Sequence, residues 1–352
     1  MPEKRAKILK KFSAKRIIWP VLIGVGGLFG YMFYKDFDIN AFDKISWTWT
    51  TSIFIFIALF MMVVRHVAYM YRIRVLVDKE LSWWQCFDVI MLWEFASAAT
   101  PSIVGGTTFA LFLLYKEKVS AGRSTTIVLF TAFLDELFFM LIAPIFFLIV
   151  GTNVIFPNFE NNELISLSNG FFYAFVVGYS ALLVYTLLLA YGLLINPKGF
   201  KKMLVKIFSI KLLRRWKDGI EKTSDDIVTA SENLQHEDLN FWIKTFGATL
   251  ASWSARFLVV NFMLLAFASI AGYDQIIIFA RQIVMWVIML VTPTPGSSGM
   301  AEVAFEAFLI DYTPQGLALA MALLWRILSY YPYLFLGVLV LPRWIKRVYT
   351  LD

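Results

Sequence analysis

The feature that most limits what this chain can become is its succession of apolar runs, each about as long as a bilayer is thick. A hydrocarbon core of about 30 Å needs about 20 consecutive apolar residues in a helix that crosses it. Six stretches reach that length: 17–34, 51–71, 124–150, 170–195, 243–270 and 315–341. Composition points the same way. Of the 352 residues, 59% are hydrophobic and 16% are charged, against about 25% charged in an ordinary soluble domain. So little polar surface cannot keep a body of this size in water. The fold class expected is an all-α polytopic membrane protein.

Two further apolar stretches are broken. Residues 83–115 are interrupted at Ala99-Thr100-Pro101-Ser102-Ile103-Val104-Gly105-Gly106, and residues 276–310 at Thr292-Pro293-Thr294-Pro295-Gly296-Ser297-Ser298-Gly299. Proline removes a backbone donor and glycine loosens a helix. In lipid such a break strands polar backbone groups, so it is tolerated only against protein or a watery cavity. Both stretches therefore read as re-entrant helical hairpins, added to the six transmembrane helices.

Basic residues set the sidedness. With the N-terminus inside, the inner segments 1–16, 71–80, 116–123, 198–222 and 343–347 hold 25 Lys and Arg. The outer segments hold only Lys35 and Lys44. A single crossing at either break would invert every later loop and put basic loops outside. The net charge of +7 is thus a topology signal, and no nucleic-acid partner is expected. The location expected is the cytoplasmic (plasma) membrane, multi-pass, with both termini cytoplasmic. Residues 1–342 form one integral membrane domain, 196–240 a cytosolic amphipathic linker within it, and 343–352 a cytosolic tail.

Landmarks recur along the chain. Arg65 matches Arg256, the break at Pro101 matches that at Pro295, and Asp135 matches Arg326, at nearly constant offset. Loop charge gives the two halves, 51–150 and 243–341, opposite sidedness. That is an inverted-topology repeat, an arrangement in which broken helices meet near the bilayer midplane.

Nine charges fall inside apolar segments: Arg65, Glu94, Asp135, Glu136, Arg256, Arg281, Glu302, Glu306 and Arg326. Each costs about 2.5–3.5 kcal/mol on insertion scales, so they must pair, face inward or line a wet cavity. Glu302 and Glu306 are four apart and share a helix face. Asp135 and Glu136 are adjacent and point to different partners. The charges either brace the bundle as ion pairs or form a polar site for a charged headgroup or coupling ion. Helices starting near Thr107 and Gly299 would add free N–H groups suited to an anion. The candidate substrate-binding residues are Arg65, Asp135, Glu136, Arg256, Arg281, Glu302, Glu306 and Arg326, with Pro101, Gly105, Gly106, Pro295, Gly296 and Gly299 at the breaks. One cysteine, Cys86, excludes a disulfide framework. His66 and His236 lack partners at metal-ligand spacing. No metal, cofactor or catalytic residue is expected.

The run Pro293-Thr294-Pro295-Gly296-Ser297-Ser298-Gly299-Met300-Ala301-Glu302, together with Thr100-Pro101, Gly105-Gly106 and the Arg-bearing spans, resembles the lysylphosphatidylglycerol synthase transmembrane-region family, also described as flippase-like integral membrane proteins. The likeness covers roughly residues 17–342. That family usually has a second Gly where Ser297 stands, and Ser also fits a tight turn. In bifunctional members this region precedes a soluble aminoacyl-transferase domain. Here only ten residues follow Pro342, so lysyl transfer is not expected. The resemblance implies translocation or related handling of membrane lipids, anionic or zwitterionic phospholipids among them. Two other readings stand beside it: a membrane-embedded enzyme using Glu302 and Glu306 on a lipid headgroup, and a non-transporting scaffold. Oligomeric state is not legible.

Overall fold

A computed structural model describes residues 47–100, 105–156, 162–210, 217–290, 292, 294 and 296–350. The expected span 17–34, Pro101 and Pro295 lie outside the described residues. Among those described, the structure is all-α, with no strand. Six helical segments are long and apolar enough to cross a membrane: Trp49–Leu76, Ala121–Val150, Asn169–Ile195, Leu239–Leu265, Gly272–Leu290 and Ala318–Tyr349, the last made of two consecutive helices.

Local chemistry sets the boundaries. Helix α1 (Trp49–Leu76) opens on a capping box between Thr48 and Thr51, and α2 (Trp83–Ala99) on one between Ser82 and Gln85. Each box satisfies two of the donors that a helix start leaves unpaired. Helix α3 (Gly105–Lys116) follows the first break and packs back on α2. A Cβ on Gly106 would lie 2.0 Å from Ser97 Oγ, so only glycine lets the two limbs approach this closely. Helix α4 (Ala121–Val150), capped by Ser120, ends at Gly151. Helix α5 (Asn162–Ala190) runs into a π-helical turn, Tyr191–Ile195.

The linker folds as two helices, α6 (Pro197–Phe208) and α7 (Lys217–Gln235). Lys198 pairs with Glu232 at 3.1 Å, and Lys201 with Asp225. Part of the basic face of α6 is therefore spent on acids of α7.

Helix α8 (Leu239–Leu265), capped by Asp238, makes the most extensive helix pairing in the structure, against α1. Thr245, Thr249 and Ser252 are fully buried, and such small side chains let two membrane helices approach closely. Helix α9 (Gly272–Leu290) has 19 residues. Sequence reading takes it as one limb of a hairpin, yet it is long enough to cross by itself, because its apolar run is unbroken as far as Leu290. After the second break come α10 (Met300–Leu309), α11 (Ala318–Ser329) and α12 (Tyr331–Thr350). The expected span 315–341 is thus interrupted at Tyr330.

Two apolar cores hold the bundle. One lies among α4, α8, α9, α10 and α11, and the other among the end of α1, α2, α3, the start of α4 and α12. The second is fastened by a polar clasp. Glu117, just after α3, accepts from Trp344 Nε1 at 2.8 Å, Gln85 Nε2 at 2.8 Å and Arg347 Nη1 at 3.0 Å. Asp88 of α2 pairs with Arg343 and Arg347. Buried carboxylates are tolerable only with partners of this kind.

Candidate functional site

Arg65, Tyr69 and Arg72 stand at i, i+4 and i+7 of α1, which puts them on one helix face. They line a cavity of about 240 Å³ between α1, α2, α4, α8, α11 and the second break. Trp253 and Arg256 of α8 face them, and Arg326 closes the side formed by α11.

Each arginine but one meets a carboxylate. Arg65 Nη2 donates to both oxygens of Glu94, at 2.9 and 3.0 Å, and Nη1 donates to Tyr333 Oη at 2.5 Å. Arg72 grips Asp135 through two nitrogens, at 2.6 and 3.1 Å, and also reaches Thr249 Oγ1 at 2.9 Å. Trp253 Nε1 donates to the same Asp135 oxygen at 2.9 Å. Arg326 Nε donates to Glu302 Oε1 at 3.0 Å, and Nη2 to the Gly296 carbonyl at 2.6 Å. Forked contacts like these fix position as well as charge.

Arg256 is the exception. Among the described residues it has no ion pair and no hydrogen bond. Its guanidinium lies over the Trp286 ring at 4.2 Å and the Trp253 ring at 5.6 Å. Aromatic faces support every arginine here. Arg65 lies over Tyr69 and Tyr333, Arg72 over Tyr69, and Arg326 over Tyr330 and Trp325. Such stacking steadies a cation without cancelling its charge.

The end of α2 and the second break meet at Tyr330. Its hydroxyl donates to the Ala98 carbonyl at 2.8 Å, at the end of α2. Its ring covers Gly296, where a Cβ would lie 2.3 Å from it and where φ is +56°. Glycine is required at position 296 on both counts.

Of the residues singled out from sequence, Arg65, Asp135, Arg256, Gly296 and Arg326 line the cavity, and Glu302 stands directly behind Arg326. Gly106 lies against α2 and Gly105 starts α3; neither lines it. Arg281 does not converge with the others. It donates to the Val154 carbonyl at 3.2 and 3.0 Å, to the Phe308 carbonyl at 2.7 Å and to Asp311 at 3.2 Å, so it ties the end of α10 to the short helix Thr152–Ile155. Glu136 lies outside the cavity with Oε2 buried and unpartnered, as expected for a neighbour of Asp135 that points elsewhere. Glu306 is half-buried and also lies outside it. The expected free helix start at Gly299 is already taken, because its N–H donates to Glu302 Oε2 at 2.7 Å. Sequence reading left two charged lining residues out of the site. Arg72 fell in a presumed loop, although its spacing from Arg65 and Tyr69 marks the shared face. Glu94 was visible as an intramembrane charge, but without its partner.

The fold and cavity define a class: a multi-pass helical membrane protein with a polar, arginine-rich chamber among its spans. The chain belongs to the family described as the Lysylphosphatidylglycerol synthase TM region, which it matches over residues 17–337. That places it among membrane proteins related to lipid handling. It is also similar to a UPF0104 membrane protein of Archaeoglobus fulgidus, 24% identical over 268 residues, covering 74% of this chain and 76% of the relative. No solved structure matches it.

Proposed function

We propose that this protein is a flippase-like transporter that receives the phosphate-bearing headgroup of a membrane phospholipid in the arginine chamber. One observation carries the reading. Among the described residues, four arginines gather at the chamber and three carboxylates answer them, which leaves Arg256 over. A phosphodiester bears one negative charge, which is what the site needs for neutrality. An uncompensated cation in a low-dielectric interior is expensive, so an anion is the natural complement.

Volume supports a headgroup and not a whole lipid. Drug-sized ligands occupy pockets of about 300–1,000 Å³, more than the 240 Å³ found here. The acyl chains would stay in the bilayer while the headgroup crosses. Chemistry on the headgroup is not supported. Both oxygens of Glu94, Asp135 and Glu302 are engaged by donors, so none is free for acid–base work. The pairing of α1 with α8, each bringing an arginine to the chamber, supports the inverted-repeat reading. Loop charge supports a plasma-membrane orientation with cytoplasmic termini.

The test is reconstitution. In proteoliposomes, fluorescent phosphatidylglycerol or phosphatidylcholine on the inner leaflet should become accessible to dithionite faster than in protein-free vesicles. A phosphate-free fluorescent diacylglycerol should move no faster than in empty vesicles. Equal rates with and without protein for both phospholipids would remove the proposal.

A further inference from the structure

On the side of α1 opposite its arginines lies a second hollow, of about 660 Å³. Phe60, Val63 and Val67 of α1 form one wall, and Gly247 and Ala251 of α8 contribute to the other. These α1 side chains are exposed on the outer surface of the bundle. Among the described residues no charged side chain lines the slot except Lys244, at one end, beside Tyr71 and Trp83.

That end has a definite place. Tyr71 is five residues before the last residue of α1, and Lys244 five after the first of α8. Trp83 opens α2. All three therefore sit where these helices reach one face of the membrane, the level at which Trp, Tyr and Lys anchor to headgroups. From Tyr71 back to Phe60 the slot runs about 17 Å along the helix, comparable to a fatty acyl chain. At its wet end Lys244 is exposed and has no ion pair among the described residues. Arg74, whose guanidinium lies over the Trp83 ring at 5.0 Å, has no ion pair there either.

We infer that this slot is a second lipid site, separate from the arginine chamber. It holds one acyl chain of an anionic phospholipid whose phosphate rests on Lys244. Charge complementarity favours this occupant over a second copy of the chain. A protein partner would have to bring its own carboxylate to Lys244, whereas a lipid brings the anion and the chain together, in the orientation the slot presents.

Gly247 gives a clean test, since a Cβ placed there meets nothing within 4 Å. Gly247→Leu should fill the slot without disturbing the α1–α8 contact. The full chain is delipidated in detergent, titrated with phosphatidylglycerol and then phosphatidylcholine, and read by native mass spectrometry. The expected result is one fewer retained phosphatidylglycerol per chain in Gly247→Leu than in the wild type, with any lipid held by the arginine chamber unchanged. Lys244→Gln should weaken phosphatidylglycerol binding about fivefold, which corresponds to about 1 kcal/mol for one lysine at an anionic surface. Should Gly247→Leu not fold, the Lys244→Gln shift alone decides. Unchanged binding in both variants overturns the inference. So does a wild-type dimer that Gly247→Leu converts to monomer, because the slot would then be an interface between copies.

Discussion

Replacing Arg256 with Gln separates the proposed transport from stability, because among the described residues this arginine answers to no acid. Its loss forfeits stacking on Trp286 and Trp253, worth about 0.5–2 kcal/mol per contact. It also removes a guanidinium whose insertion costs about 2.5–3.5 kcal/mol. The two effects oppose each other, so the melting temperature should stay close to that of the wild type. Arg326→Gln is different. It strands Glu302, only 3% exposed, and breaks the 2.6 Å contact to the Gly296 carbonyl. Removing one partner of a buried pair costs about 3–5 kcal/mol, so this variant should melt well below the wild type. A hydrogen bond to a charged group is worth about 1.5–3 kcal/mol, which converts to a 10- to 150-fold loss of phosphate affinity at about 1.4 kcal/mol per decade. Dithionite-based phospholipid translocation and thermal melting in detergent read the two quantities separately. Arg256→Gln should lose translocation and keep its melting temperature. Arg256→Lys should recover little, since an ammonium lacks the guanidinium fork. If Arg256→Gln destabilises the protein as much as Arg326→Gln does, the chamber arginine is a structural brace and the argument from unbalanced charge fails.

Other outcomes follow from the same geometry. His66 is buried with neither ring nitrogen partnered, and it packs edge-on to Phe87; His66→Phe should hold or raise the melting temperature, and a fall would show that the imidazole is bonded. Gly296→Ala must place a methyl against Tyr330 at a left-handed φ, so it should destabilise by about 1–3 kcal/mol, while Tyr330→Phe should lose only about 1 kcal/mol from one hydrogen bond, both seen in thermal melts. Glu117→Ala removes the acceptor that joins Trp344, Gln85 and Arg347 and should cost about 3 kcal/mol, with Arg347 still held by Asp88; an unchanged melt would show the clasp to be ornamental. With Cys86 replaced by Ser, Asn153→Cys and Lys202→Cys should label with an impermeant maleimide from opposite sides of the membrane, and labelling from one side would refute the topology.

Hydropathy is a local property, and so the five expected spans that fall among the described residues were legible: a run of apolar residues needs no partner to declare itself. The break sequences were legible for the same reason. What the sequence withheld was azimuth and pairing. Arg281 is as deep in its apolar segment as any chamber residue, yet its side chain is spent on the carbonyls of Val154 and Phe308, which no spacing rule reveals. Arg72 was hidden by a boundary, since α1 continues to Leu76 and carries it back into the bundle. The interruption at Tyr330 was marked by Pro332, which has no N–H to continue the helix of α11, but sequence reading ran the span straight through it. Glu302 was recognised as an intramembrane acid, but its second task, capping its own helix at Gly299, depends on the turn that precedes it.

The uneven pairing of the chamber also constrains how the sequence can drift. Arg65 with Glu94, Arg72 with Asp135 and Arg326 with Glu302 are three couples in which neither member can change alone without stranding a charge in the bilayer. Substitutions at these positions should therefore be inherited in step, each partner recording the history of the other. Arg256 has no such companion among the described residues. Among the described residues no carboxylate ties it in place, so on the proposed reading it should persist across descendants of this chain only as long as the lipid is bound, and it should be the first of the four to vanish in any lineage that abandons that lipid.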